Sequence, residues 1–367
     1  MTRYSVSLLR VVHYFLFREE KSLKKRKLGN SGLEIYPLVL GGNVFGWTVD
    51  EPTAFLLLDA FTEAGFNAID TADSYSRWVP GNKGGESETI IGKWLKARGN
   101  REKIVIATKV GSEMGPNRKG LSRSYILRAV EDSLQRLQTE YIDLYQSHFD
   151  DPNTPFEETL EAYAQLIRQG KVRAIGASNY GAERLSQALQ AGQERGLPRY
   201  QSLQPLYNLY DRAEYERSLE PLCSEKGLGV ISYFSLASGF LTGKYRSEKD
   251  LSKSPRGQRA AQYLNERGFR ILKALDHVGE QHHSTPARVA LAWLIARPGV
   301  DTLAAEGYYA RPTACRRLSR LARSRLSRGT GGQAKRIATA FRLIPRVRGF
   351  FGKPDNAGFD FLPWNVL

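Results

Sequence analysis

Between residues 28 and 300 of the 367-residue chain, short apolar runs alternate with longer amphipathic ones. The short runs, at 37–42, 67–72, 104–110, 142–148, 173–179, 202–208 and 229–236, are bounded by Gly, Pro or polar turn residues and read as strands. The stretches between them carry apolar residues at helical spacing. One closes at Gly65; another, over 122–138, has Ser122 as candidate N-cap; a third has Thr285 as cap and Pro286 in its first turn. Such regular β-then-α repetition predicts a parallel sheet and, at this length, a (β/α)8 TIM barrel. Seven strands are visible by this pattern. The eighth unit falls due after residue 300, where the composition changes abruptly, so it is expected to be incomplete or altered. A doubly wound sheet would need G-x-G-x-x-G after the first strand, and GGNVFG at 41–46 does not supply it.

Charge divides the chain in the same places. The net charge is +16, but residues 1–27 hold +6 of it, and residues 307–354, with thirteen Lys/Arg and no acid, hold +13. The interior is therefore near neutral, which argues against a basic-surfaced globule. The expected organisation is a basic N-terminal extension over 1–27 outside the fold, a barrel over 28–306, and an arginine-rich, disordered tail over 307–367. Arginine-rich, acid-free protein is what GC-rich DNA gives when read out of frame, so a frame error near residues 302–312 is expected, and residues 1–22 are expected to be an over-long start. A nucleic-acid arm, with Phe350, Phe351 and Trp364 stacking on bases, is the alternative for the tail; no specific nucleic acid is expected. Two cysteines, Cys223 and Cys315, exclude a disulfide framework. The apolar stretch at 5–17 is broken by Arg10 and His13 and is too short to span a bilayer, so cytoplasmic chemistry is the expectation.

In a barrel the reactive face lies at the C-terminal ends of the strands. Those ends carry Asp70 with Tyr75 just beyond, then Lys109, His148, Ser178 with Asn179, Gln204 and Tyr207. A lysine at the end of an apolar run is costly to bury unless a carboxylate compensates it, and Asp70 on the adjacent strand supplies one. The pair would leave Tyr75 beside a cation, which stabilises a phenolate and makes the hydroxyl a better proton donor. His282–His283 is expected to bind no metal, because adjacent helical residues face different directions and no further ligand follows at spacing.

The motifs GFNAIDTADSYS, IVIATKVG, DLYQSH, IGASNY, QPLYNLYDR and FSLASGFLTGKYR resemble, in order, those of the aldo-keto reductases, over roughly residues 28–300. The resemblance implies NAD(P)H-dependent reduction of an aldehyde or ketone, with NADPH as cofactor and NADH kept open. It implies that Tyr75 gives the proton, that Asp70 and Lys109 tune it, and that His148 orients the carbonyl oxygen. Ser178, Asn179 and Gln204 would hold the nicotinamide carboxamide, and Tyr207 would stack on its ring. The segment Ser235, Leu236, Gly239 and Leu241 with Lys244 would lie along the pyrophosphate, and Trp47 and Trp78 would wall the substrate mouth. The tail departs from the family pattern where groups for the adenosine 2′-phosphate are due, so cofactor binding is expected to be weak. A cofactor-binding regulatory or redox-sensing barrel with little turnover is the alternative function.

Overall fold

In the computed structural model, which describes residues 24–306, eight parallel strands close into a barrel. They are β3 (Leu38–Gly41), β4 (Ala68–Asp70), β5 (Val105–Val110), β6 (Ile142–Ser147), β7 (Val172–Ser178), β8 (Ser202–Gln204), β9 (Gly229–Ser232) and β10 (Thr302–Glu306). The seven strands expected from patterning are present, and the strand of the eighth unit, which pattern did not mark, is present too. Residues 302–306 form a regular strand that pairs with β9 through Thr302 and Ile231 and with β3 through Leu303 and Leu38. The run, TLAAE, abuts the abrupt change of composition, which is why pattern alone did not mark it. The segment due to contain the eighth helix, the tail and residues 1–23 lie outside the described residues. The expectations for a frame error, an over-long start and a basic arm lie there with them.

Helices form the outer layer: α1 (Glu51–Glu63), α2 (Glu86–Arg98), α3 (Arg123–Leu137), α4 (Phe156–Arg168), α5 (Ala182–Arg195), α6 (Glu220–Lys226), α7 (Glu266–Gln281) and α8 (Pro286–Ala296). Their starts follow local chemistry. Asp50, Ser122 and Thr285 accept hydrogen bonds from the backbone N–H groups of Thr53, Tyr125 and Arg288, satisfying donors that the first turn leaves unpaired. On α6, burial pushes the Cys223 thiol up to about 12, so it packs as an inert apolar group. No helix among the described residues is long and apolar enough to cross a membrane.

The barrel floor is closed by an antiparallel hairpin of β1 (Arg26–Lys27) and β2 (Glu34–Ile35). Leu28, Leu33 and Ile35 pack into one apolar cluster with Val39, Ala68, Ala107, Leu144, Ala174, Ile231 and Ala304 from the strands. Arg26 donates to the carbonyls of Val300 and Ile295, 2.9 and 3.0 Å away. The boundary drawn at residue 28 therefore cuts through this hairpin. The lower barrel interior is small and apolar, and the polar residues of the site stand in the layer above it.

Helices α2 and α3 are fixed to β5 from outside. Glu88 of α2 is fully buried and accepts from Thr108 Oγ1 at 2.6 Å and from Arg136 Nε of α3 at 2.7 Å. The close approach needs Gly92, because a Cβ there would lie 2.1 Å from the Arg136 carbonyl oxygen. Gly92→Ala is expected to lose roughly 1–3 kcal/mol of stability through overpacking, although alanine favours an isolated helix by about 1 kcal/mol. Urea unfolding checks this, and a variant as stable as wild type would contradict the packing.

Candidate active site

Strand ends build the upper layer. Asp70 closes β4, Lys109 stands near the end of β5, Gln146 lies in β6, and Gln204 closes β8. Asp70 and Lys109 are each 1% exposed, and Lys109 Nζ lies 2.7 Å from Asp70 Oδ2. An ammonium has three protons, and here they go to Asp70 Oδ2, to the Thr71 carbonyl at 2.8 Å and to the Tyr75 hydroxyl oxygen at 2.8 Å. The other Asp70 oxygen accepts from Gln204 Nε2 at 3.0 Å and Gln146 Nε2 at 3.4 Å. With its donors used and its charge compensated, the lysine meets the conditions for a buried cation.

Tyr75 sits on the turn after β4, which is pinned on both sides. Ser76, in the left-handed region at φ 70°, donates to the Phe45 carbonyl at 2.6 Å. Asn82 donates to the carbonyls of Ser76 and Gly46. His148 follows β6, its ring edge-on to Tyr75 at 5.9 Å. Burial, and then the charge of Lys109, hold its imidazole well below the ordinary value of 6.5, so the ring is neutral at pH 7. A tyrosine hydroxyl in this setting can give a proton to an acceptor above it while a cation already touches the oxygen that keeps the charge.

Ser178 ends β7 and Asn179 follows it. Asn179 is left-handed at φ 56°, a conformation that costs about 1–3 kcal/mol at a non-glycine residue. Its side chain holds it there, donating to the His148 carbonyl at 2.9 Å and accepting from the Tyr233 hydroxyl at 2.6 Å. Trp47 and Trp78 meet edge to face at 5.7 Å, and Trp78 lies 6.2 Å from the Tyr75 ring. Phe149, stacked 4.8 Å from His148, is open on the other side.

Tyr207 is not brought to this mouth. It is fully buried, its ring packs on Tyr215 and Trp293 at 4.3 and 5.5 Å, and its hydroxyl donates to Glu216 at 2.8 Å. No face is left for a ligand to stack on. Tyr233, just beyond β9 and half-buried, donates from its hydroxyl to Asn179 Oδ1 at 2.6 Å.

The loop after β9 is strained. Phe234, Ala237 and Ser238 are left-handed at φ 52°, 48° and 54°, followed by Gly239 at 93°. Successive N–H groups in such conformations form concave anion sites. Ser235 is buried and donates to the Ala304 carbonyl; Leu236 and Leu241 bury their side chains, leaving backbone for any ligand contact. A Cβ at Gly239 would lie 3.2 Å from Lys244 Nζ, so the ammonium stands over this glycine. Arg256 is buried with its guanidinium 5.5 Å from the Phe234 ring, a second cation beside the same loop.

Sequence reasoning missed Gln146, Tyr233, Arg256 and Phe149. Gln146 had a signal, since it precedes His148 by two and so shares its strand face. It also missed Asp73, two residues before Tyr75, whose carboxyl is buried. Burial, and then the charge of Glu88, raise this carboxyl well above the ordinary 3.8. Below pH 3.8 it is neutral folded or unfolded; at higher pH the unfolded chain ionises while the folded one keeps the proton, so stability falls as pH rises. Asp73→Asn should therefore gain stability over wild type between pH 4 and neutrality. Parallel pH profiles of the two in urea unfolding would contradict a neutral Asp73.

The family model described as the aldo/keto reductase family matches residues 37–307. Among similar proteins, an uncharacterized oxidoreductase, YrpG, of Bacillus subtilis is 38% identical over 280 residues, 74% of this chain and 83% of that protein. The aldo-keto reductase YhdN of the same organism is 33% identical over 268 residues, 71% and 76% of the two chains. A protein of Schizosaccharomyces pombe named as a putative voltage-gated potassium channel subunit beta is 35% identical over 303 residues, 77% and 84%.

Proposed function

We propose, from the premise that the chain belongs to the aldo/keto reductase family, that it reduces an aldehyde or ketone to an alcohol at the barrel mouth, with Tyr75 as proton donor and NADPH, or NADH, as the source of hydride. The family implies NAD(P)H-dependent carbonyl reduction. The observation that carries the assignment to Tyr75 is the 2.8 Å contact of its hydroxyl with a lysine compensated by a buried carboxylate.

The residues fit a dinucleotide. Ser178, Asn179 and Gln204 gather amide and hydroxyl groups on neighbouring strand ends for a carboxamide, and Tyr233 replaces Tyr207 as the ring against which a nicotinamide lies. The strained loop from Phe234 to Gly239, with Lys244 and Arg256 beside it, suits a pyrophosphate: backbone N–H groups and two cations around a glycine where a side chain would crowd Lys244. A reduced nicotinamide, when bound, supplies hydride to the carbonyl carbon. Tyr75 gives its proton to the carbonyl oxygen, Lys109 takes up the negative charge left on the phenol oxygen, and neutral His148 orients the carbonyl without competing for that proton. Trp47 and Trp78 wall the approach and keep water from it.

The likeness to a protein named as a potassium channel subunit beta favours a regulatory role as the second reading, for which the barrel would bind cofactor with little turnover. The intact set of Tyr75, Lys109, Asp70 and His148 favours catalysis. A panel of aldehydes assayed with saturating NADPH and NADH tests both. Tyr75→Phe is expected to lower kcat by about 10²-fold or more while tryptophan quenching reports unchanged cofactor affinity. Wild-type turnover in the phenylalanine variant would contradict the assignment, and bound cofactor without reduction of any carbonyl would favour the second reading.

A further inference from the structure

We infer that Ser112, on the loop after β5, is a positioning residue that fixes which nitrogen of His148 carries the proton. The inference rests on reduction at Tyr75. His148 is held through its backbone and its ring. Its backbone N–H donates to the Val110 carbonyl at 2.8 Å, its carbonyl accepts from Asn179 at 2.9 Å, one ring face stacks on Phe149 at 4.8 Å, and Tyr75 meets it edge to face. Ser112 Oγ lies 3.2 Å from Nδ1. That leaves Nε2 as the ring atom for a substrate oxygen.

A neutral imidazole has one N–H and one lone pair, and the partner of one nitrogen decides the role of the other. If Nδ1 carried the proton, it would donate to Ser112 and turn the Nε2 lone pair toward a carbonyl oxygen, which repels it. With the Ser112 hydroxyl donating to Nδ1, Nε2 carries the proton and donates to that oxygen. Among the described residues the Ser112 side chain makes this one hydrogen bond, so its proton is not committed elsewhere.

The serine is held where this requires it. The Gly120 N–H donates to the Gly111 carbonyl at 3.0 Å and the Met114 N–H to the Arg118 carbonyl at 2.7 Å, closing the loop on itself. Asp151, three residues after His148, ties the two loops together: it accepts from the Leu121 N–H at 2.8 Å and from the Thr154 hydroxyl at 2.7 Å. Burial alone would raise the Asp151 carboxyl, but these bonds outweigh it and hold the group below the ordinary 3.8, so the tie is ionised at neutral pH. Asp151 therefore joins the β5 and β6 loops that carry Ser112 and His148.

The test is nitrogen NMR of the five histidines in the full-length chain, with the His148 signals assigned by their loss in His148→Gln. The expected result is an unprotonated, hydrogen-bonded Nδ1 and a protonated Nε2 in wild type. Ser112→Ala should mix the tautomers and lower kcat about fivefold to tenfold, the loss of one hydrogen bond, with KM for NADPH unchanged; Ser112→Thr, which keeps the hydroxyl, should restore both. A protonated Nδ1 in wild type, or an alanine variant with unaltered tautomer and kcat, overturns the inference. A wild-type chain that shows the expected tautomer but reduces no carbonyl upholds the Ser112 assignment and refutes the Tyr75 reading instead.

Discussion

An ammonium placed inside the mouth of a barrel has no water to solvate it, and the upper part of this structure follows from how Lys109 is satisfied. Its three protons fix Asp70, the Thr71 carbonyl and the Tyr75 hydroxyl at 2.7–2.8 Å. Asp70 in turn gathers Gln204 and Gln146 from strands across the barrel. The polar layer is thus one network, and each member is located by a hydrogen bond that another would lose if it moved. Breaking a buried pair by removing one partner costs about 3–5 kcal/mol, a large fraction of the 5–15 kcal/mol typical of a domain.

The same strand is also held from its other face. Thr108 precedes Lys109, points the opposite way and binds Glu88 at 2.6 Å, which binds Arg136 on the next helix. The turn that carries Tyr75 is similarly fixed, by Ser76 and Asn82. Function therefore depends on packing some distance from the reacting atoms. The loops that shape the mouth, by contrast, present aromatic rings, with Trp78 and Phe149 nearly half exposed, and substrate selection can change there without disturbing the pair beneath.

The sequence made much of this legible because the barrel interior is apolar and small. Against that background Asp70, Lys109 and Gln204 stand out as polar residues on apolar runs, and alternation assigns them to one face. Alternation fails where the strand ends. β8 ends at Gln204, before Pro205, so the alternation that would have sent Tyr207 outward could not be carried on, and the residue that does meet Asn179, Tyr233, sits inside an apolar run as an unremarked strand aromatic. Asp73 and Glu88 read as turn and first-turn acids, since nothing in one dimension shows that two helices close over them. Ser112 lies among glycines and polar residues that read as a loop. Its meaning comes only from a histidine thirty-six positions away. Residues 302–306 complete the barrel, but their run abuts the arginine-rich stretch, and that shift of composition hides it.

The central claim is that the Lys109–Asp70 pair serves both the fold and the reaction, and a double-mutant cycle separates the two. Asp70→Asn and Lys109→Met are each expected to lose stability, because each leaves a buried charge alone. The double variant, with no charge left to bury, should recover most of that stability in urea unfolding while carbonyl reduction stays absent. Wild-type turnover in the double variant, or stability losses that simply add, would contradict the account.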